Sequence, residues 1–168
     1  MTAFQAKDII KSAKLHDLGK IGTPDHILLK PARLTVDEYE VIKEHTVRGE
    51  QLLADFISYT DDSFLKTARD IVHYHHERWD GKGYPSHLAG AAIPLAARVV
   101  AIADVYDALS SVRPYKEAYS PEESARMIIE ESGRHFDPYL VEVFEKHLHA
   151  IIRIGRSAVG ESRAEAAR

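Results

Sequence analysis

The chain has 168 residues, a formal net charge of −4, 45% apolar and 29% charged residues, the profile of one soluble domain large enough to bury a core. That balance gives no broad basic face, so duplex nucleic acid is not an expected partner. The absence of cysteine excludes disulfides, thiolate zinc sites and a cysteine nucleophile, and suits a cytoplasmic protein. No membrane segment is expected either. The longest apolar stretch, "LAGAAIPLAARVVAIADV", is interrupted by Pro94 and Arg98, and a span needs about 20 apolar residues. The N-terminal "MTAFQAKDIIKSAK" has no leader pattern.

Periodicity and caps predict an all-α chain. In a first helix over 5–18, Ala6, Ile9, Ile10 and Ala13 follow the i, i+3, i+4, i+7 stripe of a buried face. His16 and Asp17 continue it, so a histidine and a carboxylate are aimed at the core together. The capping box "TVDE" (Thr35 to Glu38) opens a helix over 36–44. Another follows over 46–57, where His45 shares a face with Gly49, Leu52 and Phe56. In a helix over 62–75, Phe64, Ala68, Ile71 and Val72 lead to His75. His73 continues Lys66, Arg69 and Asp70 on the solvent side, and His76 stands at the edge, where "ERWDGKGYP" breaks into a turn.

The helix over 94–110 is apolar nearly all round, as a central helix would be. Asp104 lies in its middle beside Val100, Ala101 and Ala108, and a buried carboxylate needs a cation or a full hydrogen-bond shell. "SPEE" (Ser120 to Glu123) and Asp137–Pro138 start helices over 121–132 and 138–152. Gly19 and Gly133 are expected helix stops. No stretch alternates as a strand, no repeat is visible, and 153–168 reads as a small, polar, fraying tail.

Four helices thus each send a histidine or aspartate inward, and helix bundles build metal sites in this way. His16, Asp17, His45, His75, His76 and Asp104 form a mixed nitrogen and oxygen set suited to manganese, iron or zinc, with carboxylates able to bridge two ions. Each residue alone has a blander account. The histidines could be hydrogen-bonded core groups, Asp17 a cap, and Asp104 the partner of Arg98 or Arg113. Coincidence across all six favours metal. His26, His87, His135, His147 and His149 fall in loops or late helices and read as ordinary.

In order, "LHDLGKIGTPDHILLKPARLT", "EHTVRGEQLL", "YHHERWDGKGYPSHLAG", "IADVYDALSSVRPYK" and "SGRHFDPYLVEVF" resemble the motifs of the HD-GYP family, a branch of the HD-domain metal-dependent phosphohydrolases. The resemblance runs from about Ala13 to Leu148. It implies an all-helical HD-domain bundle over 1–152 with two or three divalent ions, iron or manganese foremost, and hydrolysis of cyclic di-GMP to the linear dinucleotide and onward to GMP. The implied ligands are His16, Asp17, His45, His75, His76 and Asp104, with Asp17 bridging. Lys20, Arg113 and Lys116 are implied phosphate contacts, and Gly83 and Tyr84 part of the substrate-facing loop, where signalling proteins could also dock. Plain surface charge is the blander account of the three cations, and packing on Trp79 that of Tyr84.

Ions that share a carboxylate can supply an activated water for in-line attack at phosphorus, with Asp17 and Lys20 as the catalytic residues. Three departures stand out. The family's upstream helix, carrying a histidine and often a glutamate, is missing from the 15 residues before His16, so a fragment or a shortened member is expected. Val112 stands where the family has aspartate before "RPY", and Ala32 replaces the glycine of "KPG". They keep open a competing reading, a degenerate domain that binds the dinucleotide or a protein without hydrolysing it.

Overall fold

The computed structural model describes residues 2–57, 61–112 and 117–155. Its α-helices are α1 (Ala3–Ser12), α2 (Asp25–Leu28), α3 (Val36–Lys43), α4 (His45–Ile57), α5 (Ser63–Tyr74), α6 (Leu95–Ser110), α7 (Pro121–Glu130) and α8 (Pro138–Lys146). Short 3₁₀ turns cover Ala13–Leu15, Leu18–Gly22 and Gly90–Ala92. Among the described residues the only β pairing is an isolated bridge between Ser132 and Phe136, so the all-α expectation holds.

Local chemistry sets the helix starts. Thr35 with Glu38 and Ser120 with Glu123 form the two expected capping boxes, and Asp137 caps the amide of Tyr139 with Pro138 in the first turn. Thr2 and Gln5 make a further box. The helix expected over 138–152 is interrupted at His147, whose amide donates to the Val143 and Phe144 carbonyls, and the chain is helical again over 148–155. Most of the tail, from 156 onward, lies outside the described residues.

α5 lies at the centre of the packing. Ile71 joins Ile9 of α1 and Val100 of α6 in one apolar cluster, while the adjacent Val72 joins Leu53 of α4 and Ala68 in another. A third cluster, with Ile102, Ile128, Val141 and Phe144, ties α6 to α7 and α8. α6 is therefore not buried all round: Leu95 and Ala103 are exposed. Two other expected faces are rolled. Ile10 is 69% exposed, and the buried line on α4 is His45, Thr46, Gly49 and Leu53, with Leu52 and Phe56 facing outward.

Gly19 explains the roll. Rather than stopping a helix, it packs directly on α4: a Cβ there would lie 1.9 Å from the His45 carbonyl oxygen and 2.6 Å from the Gly49 nitrogen. A Cβ on Gly49 would in turn lie 2.4 Å from Val72 Cγ1. Gly19 thus lets the 3₁₀ turn meet α4 backbone to backbone, and Gly49 lets the Val72 side chain of α5 pack on the α4 backbone. The first helix ends at Ser12, and the tighter turns that follow carry His16 and Asp17 into that junction.

Candidate metal centre

The expected ligands come together where these elements meet. His45 is the first residue of α4 and is fully buried. His75 caps the C-terminus of α5 and is 1% exposed. Ligand atoms of Asp17, His45, His75 and His76 all lie within 4.8 Å of one another. Asp17 has one oxygen toward each half of the set. Its Oδ1 is 3.5 Å from His45 Nε2, and its Oδ2 is 3.3 Å from His16 Nε2, which is 3.6 Å from Asp104 Oδ1. His45 Nε2 and His75 Nε2 are 3.5 Å apart.

The donor set suits divalent ions. Two atoms each about 2.1 Å from one ion lie roughly 3.0–3.4 Å apart, close to the separations found. The imidazoles are also oriented for ligation. Nδ1 of His16 meets the Ala13 carbonyl at 2.8 Å, that of His45 the Ile42 carbonyl at 2.7 Å, and that of His75 the Ile71 carbonyl at 2.9 Å. Each such bond takes the Nδ1 proton and turns Nε2 inward; in His45 and His75 it leaves Nε2 a lone pair, while His16 Nε2 faces Asp17 Oδ2. Burial pushes His75 down to about 3, helped by the charges of His16 and His45, and burial likewise holds His76 and His45 low. These rings are neutral at physiological pH, as ligation requires.

Burial pushes the Asp17 carboxyl up, but hydrogen bonds from His16 and Lys20 outweigh it and hold it well below the usual carboxylate range. Lys20 Nζ lies 2.6 Å from Asp17 Oδ2. The hydrogen bond to Asp17 raises His16. Two of the blander accounts do not fit this geometry, while Arg113, the other partner named for Asp104, lies outside the described residues. Asp17 stands at the N-cap of a 3₁₀ turn but makes no capping bond, and Arg98 pairs with Asp137 at 2.5 Å, not with Asp104. Asp104 is not wholly buried; its side chain is 24% exposed.

The loop after His76 folds back over it. The Tyr84 ring stacks on His76 with centroids 4.8 Å apart, while Trp79 takes the Arg98 guanidinium instead. Gly83 lies against the chain beneath it: a Cβ would sit 2.3 Å from the Arg78 nitrogen. Burial first, then Tyr39 and the carboxylates of Asp104 and Asp17, raise the Tyr84 hydroxyl. The hydroxyl keeps its proton. His73, expected in solvent, is half-buried, with Nε2 3.2 Å from Ser86 Oγ. Arg113 and Lys116 lie outside the described residues, and Val112 before them is 81% exposed.

The sequence reading missed Glu77. Only 2% exposed, it accepts from the Ser86 amide at 2.6 Å and the Leu88 amide at 3.1 Å and so closes the loop. A carboxylate directly after two inward histidines was the available signal. Tyr39 and Lys43 were missed as well: Lys43 Nζ is 5.4 Å from the Tyr39 ring centroid and 5.5 Å from that of Tyr84.

An all-helical bundle that draws histidines and aspartates from separate elements into one centre defines the structural class. The HD domain family model matches residues 1–140. The chain therefore belongs to the HD-domain family, in the HD-GYP branch that its motifs resemble. It is 53% identical over 137 residues to a cyclic di-GMP phosphodiesterase of Vibrio cholerae, covering 81% of this chain and 28% of that protein. With a cyclic di-GMP phosphodiesterase of Thermotoga maritima the identity is 46% over 146 residues, covering 87% of this chain and 39% of the relative. A 3′3′-cGAMP-specific phosphodiesterase of Vibrio cholerae is 40% identical over 151 residues, or 89% of this chain and 28% of that one. The chain thus spans well under half the length of these relatives. Among solved structures, a cyclic GMP-AMP specific phosphodiesterase of Vibrio cholerae shares the fold with a TM-score of 0.57 at 23% identity, covering 89% of this chain and 39% of that one. No helix among the described residues is long and apolar enough to cross a membrane.

Proposed function

We propose that this domain is a metal-dependent phosphodiesterase that opens cyclic di-GMP to the linear dinucleotide and carries it onward to GMP, in the cytoplasm. The observation that carries the reading is the position of Asp17, with Oδ1 toward His45 and Oδ2 toward His16 Nε2, the nitrogen that also faces Asp104. That arrangement suits two divalent ions, iron or manganese, held by His16, Asp17, His45, His75, His76 and Asp104 with Asp17 shared. When bound, such ions supply Lewis acidity, activating water near neutral pH and offsetting charge on phosphoryl oxygens.

The chain's own groups supply the rest. The Nδ1 bonds hold three rings in place with Nε2 inward, so no reorientation accompanies ligation. Lys20, already against Asp17, offers a cation to developing phosphoryl charge. Tyr84 offers a proton-bearing hydroxyl, and the Gly83 turn keeps it over His76. Arg113 and Lys116 are proposed as further phosphate contacts from the motif alone. Signalling proteins would dock on the loop through its exposed residues, among them Ser86 and His87. The relatives named above are all phosphodiesterases, which favours hydrolysis over a binding-only module. Metal content per chain, measured on protein purified without oxygen, tests the reading. About two ions, falling on Asp17→Ala together with turnover of cyclic di-GMP, is the expected result. Full activity in that variant would sink the mechanism.

A further inference from the structure

α3 brings a second group of side chains to the same opening. Tyr39 and Lys43 stand one turn apart on it, and α3 leads through Glu44 directly into His45. The Tyr84 ring stacks on His76, and the Lys43 ammonium lies near both the Tyr84 and the Tyr39 rings. A continuous ladder thus runs from a candidate ligand outward to Tyr39. His45 and His75 close the floor of the centre, so access is from the side where Asp17, Lys20 and Asp104 are partly exposed. Lys43, near both tyrosine rings, places Tyr39 beside Tyr84 at the border of that opening.

A tyrosine packed for stability buries its ring, whereas Tyr39 leaves 47% of its surface open while the Lys43 ammonium lies against its ring. Glu40 takes one donor of the Lys43 ammonium at 2.6 Å and leaves the others available. We propose that Tyr39 and Lys43 form a base-recognition subsite, in which a purine of the dinucleotide stacks on the open face of Tyr39 and Lys43 donates to the O6 and N7 acceptors of guanine. The inference rests on the dinucleotide reading above and adds to it a choice of base. Stacking accepts any base, but adenine presents an amino donor where guanine presents O6, and an ammonium is opposed there. Tyr39 therefore serves affinity, and Lys43 serves selection.

The experiment uses manganese-loaded protein and three probes: cyclic di-GMP, cyclic di-AMP and the base-free ester bis(p-nitrophenyl) phosphate. Kd by calorimetry and kcat/KM are compared in wild type, Tyr39→Ala, Tyr39→Phe and Lys43→Met, with thermal melting as a check on folding. Tyr39→Ala is expected to weaken both dinucleotides roughly tenfold more than it slows the base-free ester, and Tyr39→Phe to recover most of that loss. Lys43→Met is expected to narrow the preference for cyclic di-GMP over cyclic di-AMP by roughly tenfold. Equal losses on all three probes would overturn the subsite, and so would no loss on any. Binding of cyclic di-GMP without cleavage would sink the hydrolase reading alone, since the Kd ratios still judge the subsite. Cleavage of the base-free ester without binding of either dinucleotide would overturn the subsite while leaving the catalytic centre standing.

Discussion

Gly19 and Gly49 touch backbone to backbone, and a Cβ on Gly49 would stand 3.0 Å from the Gly19 nitrogen. This contact sets the distance between Asp17, two residues before Gly19, and His45, four residues before Gly49. A methyl group at Gly19 must displace the α4 backbone, since its nearest neighbour is the His45 carbonyl. Gly19→Ala is expected to cost about 3 kcal/mol, the upper end for overpacking, and to lower bound metal beyond what the lost stability explains. Melting temperature and metal content on the folded fraction check this. An unchanged melting temperature would show that the 3₁₀ turn can move freely.

Glu77 holds the loop through two backbone amides, so its removal leaves both without a buried acceptor. Glu77→Ala should destabilise the fold by about 2–3 kcal/mol. Glu77→Gln should cost less, because its amide oxygen still serves one N–H. In both, proteolysis within 81–90 should quicken before global unfolding, which would separate loop release from general loss of stability.

Lys20 presses on Asp17 Oδ2 at 2.6 Å without being a candidate ligand. Lys20→Met should therefore keep the ions and lower kcat by roughly a hundredfold, the scale of losing one stabilising donor. Loss of the metal in this variant would mean that Lys20 acts by shaping the Asp17 carboxylate rather than by meeting phosphate.

Acid should unfold the metal-free protein early. Burial, with the Arg78 charge, pushes His135 down to about 4, and burial pushes His75 down to about 3. An unfolded histidine takes up its proton near 6.5. Below that pH the unfolded chain binds protons that the fold refuses, so stability is full above about 6.5 and declines as pH falls toward 4. Urea midpoints between pH 7 and 4.5 should fall steadily, and His135→Gln should make the slope shallower. Parallel slopes would remove His135 from this account.

Much of this was legible in the chain. Capping boxes at Thr35 and Ser120 marked helix starts because they are satisfied within four residues. The inward direction of His75 followed from the apolar spacing of Ala68, Ile71 and Val72, whereas of the face expected with His45 only Gly49 is buried. The course after Ser12 was not legible, because the apolar stripe continues through Ala13 while the Gly19 contact, set by α4 and α5, demands tighter turns. The same contact rolls α4 so that Leu53 is buried in place of Leu52. α2, with four residues, is too short to show a period. Glu77 was marked only by following two inward histidines, and its partners, backbone amides nine and eleven residues on, left its role in closing the loop out of the pattern.

Each of the three tethered histidines leans on a carbonyl only three or four residues behind it in the chain: Ala13 for His16, Ile42 at the end of α3 for His45 at the start of α4, and Ile71 for His75. None takes its brace from a stretch distant in sequence. A ligand of this kind is aimed as soon as its own turn forms, before the bundle has closed. The separate segments then become arms of a single chelate, and an ion seated among them would fasten together lengths of chain as distant as residues 16 and 104. Stripping it would undo a cross-link as well as a catalyst, so the domain's resistance to unfolding and its chemistry should be lost to the same chelator.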